Sequence, residues 1–162
     1  MPKSGGVLTM CGIAGAISFI EDMRDDMKTY ENMQKSMIRR GPDQRGMVIS
    51  REAALIHTRL AVIDIEGGRQ PMSFGDYTIV YNGELYNTDD IRRELESDFG
   101  FTTHSDTEVV LKAFIRWGED CVEKLNGIFA FVIYDNAQRR AFIARDRIGV
   151  KPLFYFQNES KL

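Results

Sequence analysis

The run CGIAGAISFI, residues 11–20, is short, apolar and rich in small side chains, which predicts a buried strand rather than a helix. From Met23 the period changes. Met23, Met27, Tyr30, Met33 and Met37 recur at three- to four-residue intervals until Gly41-Pro42, predicting a helix whose methionine stripe packs into the core. Short apolar stretches at 46–50, 53–57 and 60–65 follow, then a glycine-bearing loop, EGGRQPMSFGD, and a strand over Tyr77–Tyr81 with Asn82-Gly83 at its end. Two helices are predicted next. Thr88–Phe99 opens with a cap and an acidic first turn, and Asp106–Trp117 sets Val109, Val110, Ala113, Phe114 and Trp117 on one face before Gly118 stops it. A short helix through Cys121–Leu125 leads to paired strands at Ile128–Tyr134 and Ala141–Asp146 joined by Asn136-Ala137-Gln138, and Pro152–Phe156 reads as a last strand-like run. Strands at both ends with helices between predict an α+β layered domain, not a doubly wound parallel sheet.

Length and charge narrow the function classes. A chain of 162 residues carries one domain with a real core. Its 21 basic and 24 acidic residues nearly cancel and no Lys/Arg run exceeds two, so no nucleic-acid or anionic-membrane partner is expected and a small polar ligand fits better. Two distant cysteines, Cys11 and Cys121, make no disulfide framework, and two histidines supply no Cys/His cluster for a metal. A cytoplasmic protein is expected. Lys3 followed by apolar residues 7–20 resembles a signal peptide only weakly, because Gly12 and Gly15 interrupt the run and Met10 is too bulky for a lipoprotein-type cleavage site. There is neither a glycine-rich phosphate loop nor a paired-histidine metal motif, which argues against nucleotide binding here.

Six segments occur in series: CGIAG directly after a methionine, RRGPDQRG, HTRLAVIDIEGGRQPM, YNGELYN, SDTEVVLKAFIRWGEDCVEKLNGIFAFVIYD and ARDRIGVKPLFYF. Together they resemble the class II glutamine amidotransferases, and among these the glutaminase domain of the asparagine synthetase branch most closely. The resemblance runs from residue 11 to about 156. It implies an N-terminal-nucleophile hydrolase fold, a four-layer αββα sandwich. Two positions depart from the pattern: Arg39 stands where the family usually has His, and Ile56 where it often has Gly. Neither carries an expected chemical role. Residues 1–10 are expected to be an extension ahead of the nucleophile, and the amidotransferase domain, 11–162, to be C-terminally truncated.

Amide hydrolysis by this route needs a nucleophile, a base, oxyanion donors and a clamp for the amino-acid end of glutamine. By spacing alone Cys11 reads more readily as an inert buried thiol than as a nucleophile. The resemblance makes it the nucleophile and its own α-amine the base. That amine titrates near pH ~7.7–8.0, so a neutral fraction exists at working pH. Asn82-Gly83 alone reads as a hairpin turn, as Asn126-Gly127 does; the resemblance makes the Asn82 amide and the Gly83 N–H the oxyanion donors. For the α-carboxylate and α-ammonium of glutamine the resemblance offers Arg59 and Asp106, with Glu84 assisting. Asp106 also reads as a helix N-terminal residue, with Ser105 or Asp106 itself as the cap and Glu108 in the first turn, and this reading and the functional one hold together. His57 and His104 are not expected to form a dyad with the cysteine, Cys121 is expected to be packing, and the RDRIGVKP turn reads as an architectural corner.

The implied reaction is hydrolysis of glutamine to glutamate and ammonia through a Cys11 thioester, the ammonia serving asparagine synthesis in a synthetase domain absent from this chain. No cofactor is expected in this domain; ATP and magnesium belong to the synthetase. A homodimer is possible. Two alternatives stay open: a non-catalytic amidotransferase-like module, and a glutaminase feeding a different acceptor.

Overall fold

A computed structural model describes residues 10–61, 64 and 67–162. Seven strands form two antiparallel sheets. The first has the order β1 (Gly12–Ile17), β3 (Ala53–Arg59), β2 (Gln44–Ile49); the second runs β4 (Met72–Phe74), β5 (Tyr77–Leu85), β6 (Gly127–Asp135), β7 (Arg140–Arg145). Helix α1 (Met27–Met37) covers the outer face of the first sheet. Helices α2 (Thr88–Leu95) and α3 (Asp106–Trp117), with the short α4 (Cys121–Lys124), cover that of the second. The order is helix, sheet, sheet, helices, the four-layer sandwich expected.

Three apolar clusters fill the three gaps between layers. Strand β3 shows how one sequence serves two of them, because alternate residues of a strand point to opposite faces. Ala54 and Ile56 join Met23, Tyr30, Met33 and Met37 under α1, while Ala53 and Leu55 meet Val80 and Tyr134 of the second sheet. With both faces covered, every residue of β3 is buried. The third cluster, under α2 and α3, holds Tyr81, Leu85, Val109, Leu111, Phe129 and Phe131. Cys121 belongs to it and is fully enclosed, with burial pushing its thiol up to about 12, so it is a packing residue as expected.

Several boundaries differ from the sequence reading. Met23–Asp26 forms a 3-10 turn capped by Asp22, α1 starts only at Met27, and Met27 faces solvent. Helix α2 stops at Leu95, since Phe99 is turned back to pack edge-on against Phe74 of β4. Strand β4 itself carries no signal strong enough to predict it, and Leu60 and Ala61 lie beyond β3; residues 62, 63 and 65 of the expected 60–65 stretch are outside the described residues. Pro152–Phe156 is not a strand. Nothing among the described residues pairs with it, and Phe154 is 91 % exposed. Instead Leu162 exchanges two backbone hydrogen bonds with Ile17 at 2.8 Å, laying the last residues along β1.

The largest correction concerns Asn82-Gly83. The pair is not a turn and not a strand end; it lies inside β5, in register with Ala130 and Phe129 of β6. Nine cross-strand pairs hold β5 straight through it, and the chain reverses only after Leu85.

Candidate active site

Cys11 stands immediately before β1, half-buried, its thiol directed at the Leu60 carbonyl oxygen 3.6 Å away. Its backbone is anchored on both sides. The Met10 N–H donates to the Arg40 carbonyl at 2.8 Å, and Arg40 Nε donates back to the Cys11 carbonyl at 3.4 Å. Gly12 gives Cys11 room to sit this close to the core, because a Cβ there would meet Thr58 Oγ1 at 2.7 Å and Met37 at 3.1 Å. Burial raises the Cys11 thiol pKa, and the Leu60 hydrogen bond, Arg59 and Lys151 offset this only in part. The thiol is therefore protonated at neutral pH and needs a base to become a nucleophile.

Arg59 ends β3 and is buried. Its Nη1 donates to Gln44 Oε1 at 2.8 Å and its Nη2 to the Asp64 carbonyl at 2.6 Å, which fixes the guanidinium plane at the cavity wall.

On β5 the alternation of an antiparallel ladder decides what Gly83 offers. The N–H groups of Tyr81, Gly83 and Leu85 point away from β6, towards the edge that β4 leaves uncovered. Tyr81 N–H is taken by Gln70 Oε1 at 2.6 Å and Leu85 N–H by Asp106 Oδ2 at 3.3 Å. Between them the Gly83 N–H has no acceptor among the described residues and opens on the cavity. A side chain at 83 would collide with the Ile128 carbonyl at 2.6 Å and the Tyr81 ring at 2.8 Å. Asn82, buried, and Glu84, exposed at the rim, line the same cavity from the flanking positions.

Asp106 is the first residue of α3. Ser105 caps the helix, its Oγ accepting from Glu108 N–H at 3.3 Å, which frees the Asp106 carboxylate to face the cavity and hold Leu85. Burial raises the Asp106 pKa, against hydrogen bonds from Tyr81 and nearby backbone N–H groups that lower it. The Tyr81 hydroxyl sits beside this carboxylate, buried, without a well-aligned hydrogen-bond partner. Behind the cap lies a buried ion pair between Glu108 and Lys112. Burial alone would raise the Glu108 pKa, but Lys112 together with Thr102 and Thr103 holds it down at about 2. The carboxylate takes the Thr103 N–H at 2.7 Å and the Thr102 N–H at 3.0 Å, so it shapes the loop that enters α3.

All six expected site residues, Cys11, Arg59, Asn82, Gly83, Glu84 and Asp106, line one cavity of about 390 Å³. Sequence reasoning does not single out Gln70, Tyr81 or Lys151, which line it too. Gln70 stands in the quoted GGRQPM segment and bridges β5 to α3, its Nε2 donating to Thr107 Oγ1 at 3.1 Å. Lys151 belongs to the RDRIGVKP turn. Asp146 builds that corner as expected, accepting from Val150 N–H at 2.9 Å and Lys151 N–H at 3.0 Å. The corner also delivers Lys151 to the cavity, 3.5 Å from Met10 Sδ.

The histidines stay out of the cavity. His57 binds the Tyr81 carbonyl at 3.2 Å between the sheets, and burial depresses it to about 4, which makes it too weak a base for this thiol. His104 is exposed. A second cavity, of about 410 Å³, lies between the sheets and is lined by apolar side chains including Ile13, Leu55, Val132, Ile143 and Phe154. Among the described residues no helix is long and apolar enough to cross a membrane.

A glutamine amidotransferase domain model matches residues 10–162. The chain is 49 % identical over 156 residues to asparagine synthetase [glutamine-hydrolyzing] 3 of Bacillus subtilis, covering 93 % of this chain and 25 % of that protein. It is 34 % identical over 152 residues to asparagine synthetase B [glutamine-hydrolyzing] of Escherichia coli, covering 93 % of this chain and 27 % of that one. The chain thus spans about a quarter of the length of these curated relatives. Among solved structures it resembles the glutamine phosphoribosylpyrophosphate amidotransferase of Bacillus subtilis complexed with ADP and GMP, with a TM-score of 0.57 and 26 % identity over 70 % of this chain and 27 % of that one.

Proposed function

The chain belongs to the glutamine amidotransferase domain family, and from that premise we propose that it hydrolyses L-glutamine to L-glutamate and ammonia through a γ-glutamyl thioester on Cys11. One observation carries the reading: a thiol, an open backbone N–H beside a side-chain amide, a guanidinium and a carboxylate converge in one cavity from both sheets and α3. Arg59 takes the α-carboxylate of glutamine. Asp106, with Glu84 at the rim, takes the α-ammonium, an arrangement that restores a partner to a carboxylate whose burial disfavours its charge. So held, the side-chain amide reaches towards Cys11.

The chemistry then proceeds in two halves. The α-amine of Cys11, when that residue is the first of the chain, takes the thiol proton. Sulfur attacks the amide carbon, and the negative charge moves onto oxygen between the Asn82 amide and the Gly83 N–H. Collapse breaks the C–N bond, with the ammonium returning its proton to the leaving ammonia. Water next attacks the thioester, giving its proton to the amine, and the same donors hold the second oxyanion until glutamate leaves and the thiol is restored. The ammonia supplies asparagine synthesis in a longer synthetase, as the names of the relatives support.

While Met10 is joined to Cys11 the nitrogen is a planar amide and cannot act as this base. Glutamate release by the 162-residue chain is therefore compared with release by a version verified by mass to begin at Cys11. We expect turnover only in the second. Equal turnover by an uncleaved long form overturns the α-amine mechanism.

A further inference from the structure

We infer that Asp64 is a positioning residue that sets the spacing between the two charged ends of the pocket. This rests on the proposed roles of Arg59 and Asp106. Those two residues come from different layers, Arg59 from the end of β3 in the first sheet and Asp106 from the start of α3 beyond the second. Asp64 bonds to both sides. Its carbonyl accepts from Arg59 Nη2 at 2.6 Å, and its carboxylate Oδ2 accepts from the His104 N–H at 2.7 Å, two residues before Asp106. The other oxygen, Oδ1, accepts from the Gly67 N–H at 2.8 Å, and the Gly68 N–H donates to the Asp64 carbonyl at 3.0 Å, so the residue is clamped in its own loop.

The local geometry is demanding. Asp64 has φ of 46°, in the left-handed region that Asp and Asn tolerate better than other side chains. A Cβ on Gly67 would lie 2.4 Å from Asp64 Oδ2, and one on Gly68 would lie 2.4 Å from Arg59 Nη2, which accounts for the glycine pair. The carboxylate must accept at both oxygens. Backbone N–H groups of His104 and Gly67 hold its pKa below the usual carboxylate range, so it is ionised wherever the enzyme would work. Asparagine keeps the size and the backbone preference but offers one acceptor oxygen and turns an NH₂ group towards the remaining N–H. Asp64→Asn therefore isolates the double acceptance.

The test uses the full 162-residue chain and reads two properties of the pocket separately. Asp64→Asn should weaken glutamine binding, measured by calorimetry, about tenfold, the scale of one charge-assisted hydrogen bond. The rate at which iodoacetamide, which has no α-carboxylate or α-ammonium, alkylates Cys11 should stay within about twofold. Amide hydrogen exchange at Gly67 and His104 should accelerate. Unchanged glutamine affinity in Asp64→Asn overturns the proposal, and so does equal loss of affinity and alkylation rate, which marks a merely structural residue. Absence of glutamine binding both in the wild-type 162-residue chain and in the version beginning at Cys11 sinks the proposed function instead, and exchange at His104 then decides whether Asp64 braces the loop; slow exchange in the variant overturns that too. Where only the version beginning at Cys11 binds, the affinity comparison is made in it.

Discussion

The two cavities are nearly equal in size, about 390 and about 410 Å³, and sit on the same sandwich, yet they differ in what their walls can do. The groove between the sheets is lined mostly by apolar side chains of the strands and of the segment 153–156, with Tyr155, Asn158 and Lys161 as its polar side chains among the described residues. Among the described residues that line it, Lys161 is the one charged side chain, and it is paired with Glu21. The Cys11 cavity is built instead from the start of β1, the end of β3, the first turn of α3 and the stretch of β5 that β4 leaves uncovered, where a backbone N–H is left over. There a guanidinium, two carboxylates, a thiol and the Gly83 N–H face one volume. Volume therefore says little, whereas convergence of unlike polar groups marks the site.

Substitutions in the polar cavity should have the largest effects. Cys11→Ala is expected to abolish glutaminase turnover in the chain beginning at Cys11. Asn82→Ala should lower kcat by about 10²–10³-fold with little change in KM, since it removes a donor needed only when charge develops on oxygen. Arg59→Ala and Asp106→Ala should chiefly raise KM. Steady-state kinetics that show Asn82→Ala with an intact kcat would break the distinction drawn between the two cavities. A glutamine analogue with an electrophilic side-chain end should label Cys11 and spare the enclosed Cys121, read by peptide mass.

The next effect concerns the support of the polar cavity. Lys112→Met leaves the Glu108 carboxylate buried and unpaired, and should cost about 3–5 kcal/mol by denaturant titration. The pH dependence has a definite sign. The folded-state pKa of Glu108 is depressed to about 2, so its contribution is present above the unfolded value near ~4.3 and is lost as pH falls from there towards 2. Acid unfolding in that window should flatten in the double variant Glu108→Gln/Lys112→Met.

A third measurement separates binding from turnover by pH. Turnover needs the neutral α-amine and should fall below pH ~8, while glutamine binding needs only ionised Asp106. Because the Asp106 pKa is raised, binding should fade on acidification at a pH above the ~3.9 of an ordinary aspartate. Loss of both at one pH would contradict the division of roles.

The smallest catalytic effect is expected at the apolar groove. Phe154 and Phe156 are 91 % and 78 % exposed beside it, and replacing both by Ser should leave kcat/KM within about twofold in steady-state kinetics. A large loss of activity would show that the two cavities communicate.

Much of this molecule is legible in its residues taken in order. Helical period and caps define α3 to the residue at Asp106–Trp117, and Ser105 caps it, because these signals are local. The segments around Cys11, Arg59, Asn82 and Asp106 carry the family resemblance through which six residues are expected at a site, and the fold places all six on one cavity. Tertiary structure alone decided that Asn82-Gly83 runs straight through β5, because the pairing with β6 outweighs the turn preference of the dipeptide. It also decided that Gln70, Lys151 and Asp64 belong at or behind the site. Their roles rest on hydrogen bonds across tens of residues, from Gln70 to Thr107, from Lys151 to Met10 and from Asp64 to His104. No local pattern encodes a partner that distant; only the packing of the two sheets and α3 brings the groups within reach.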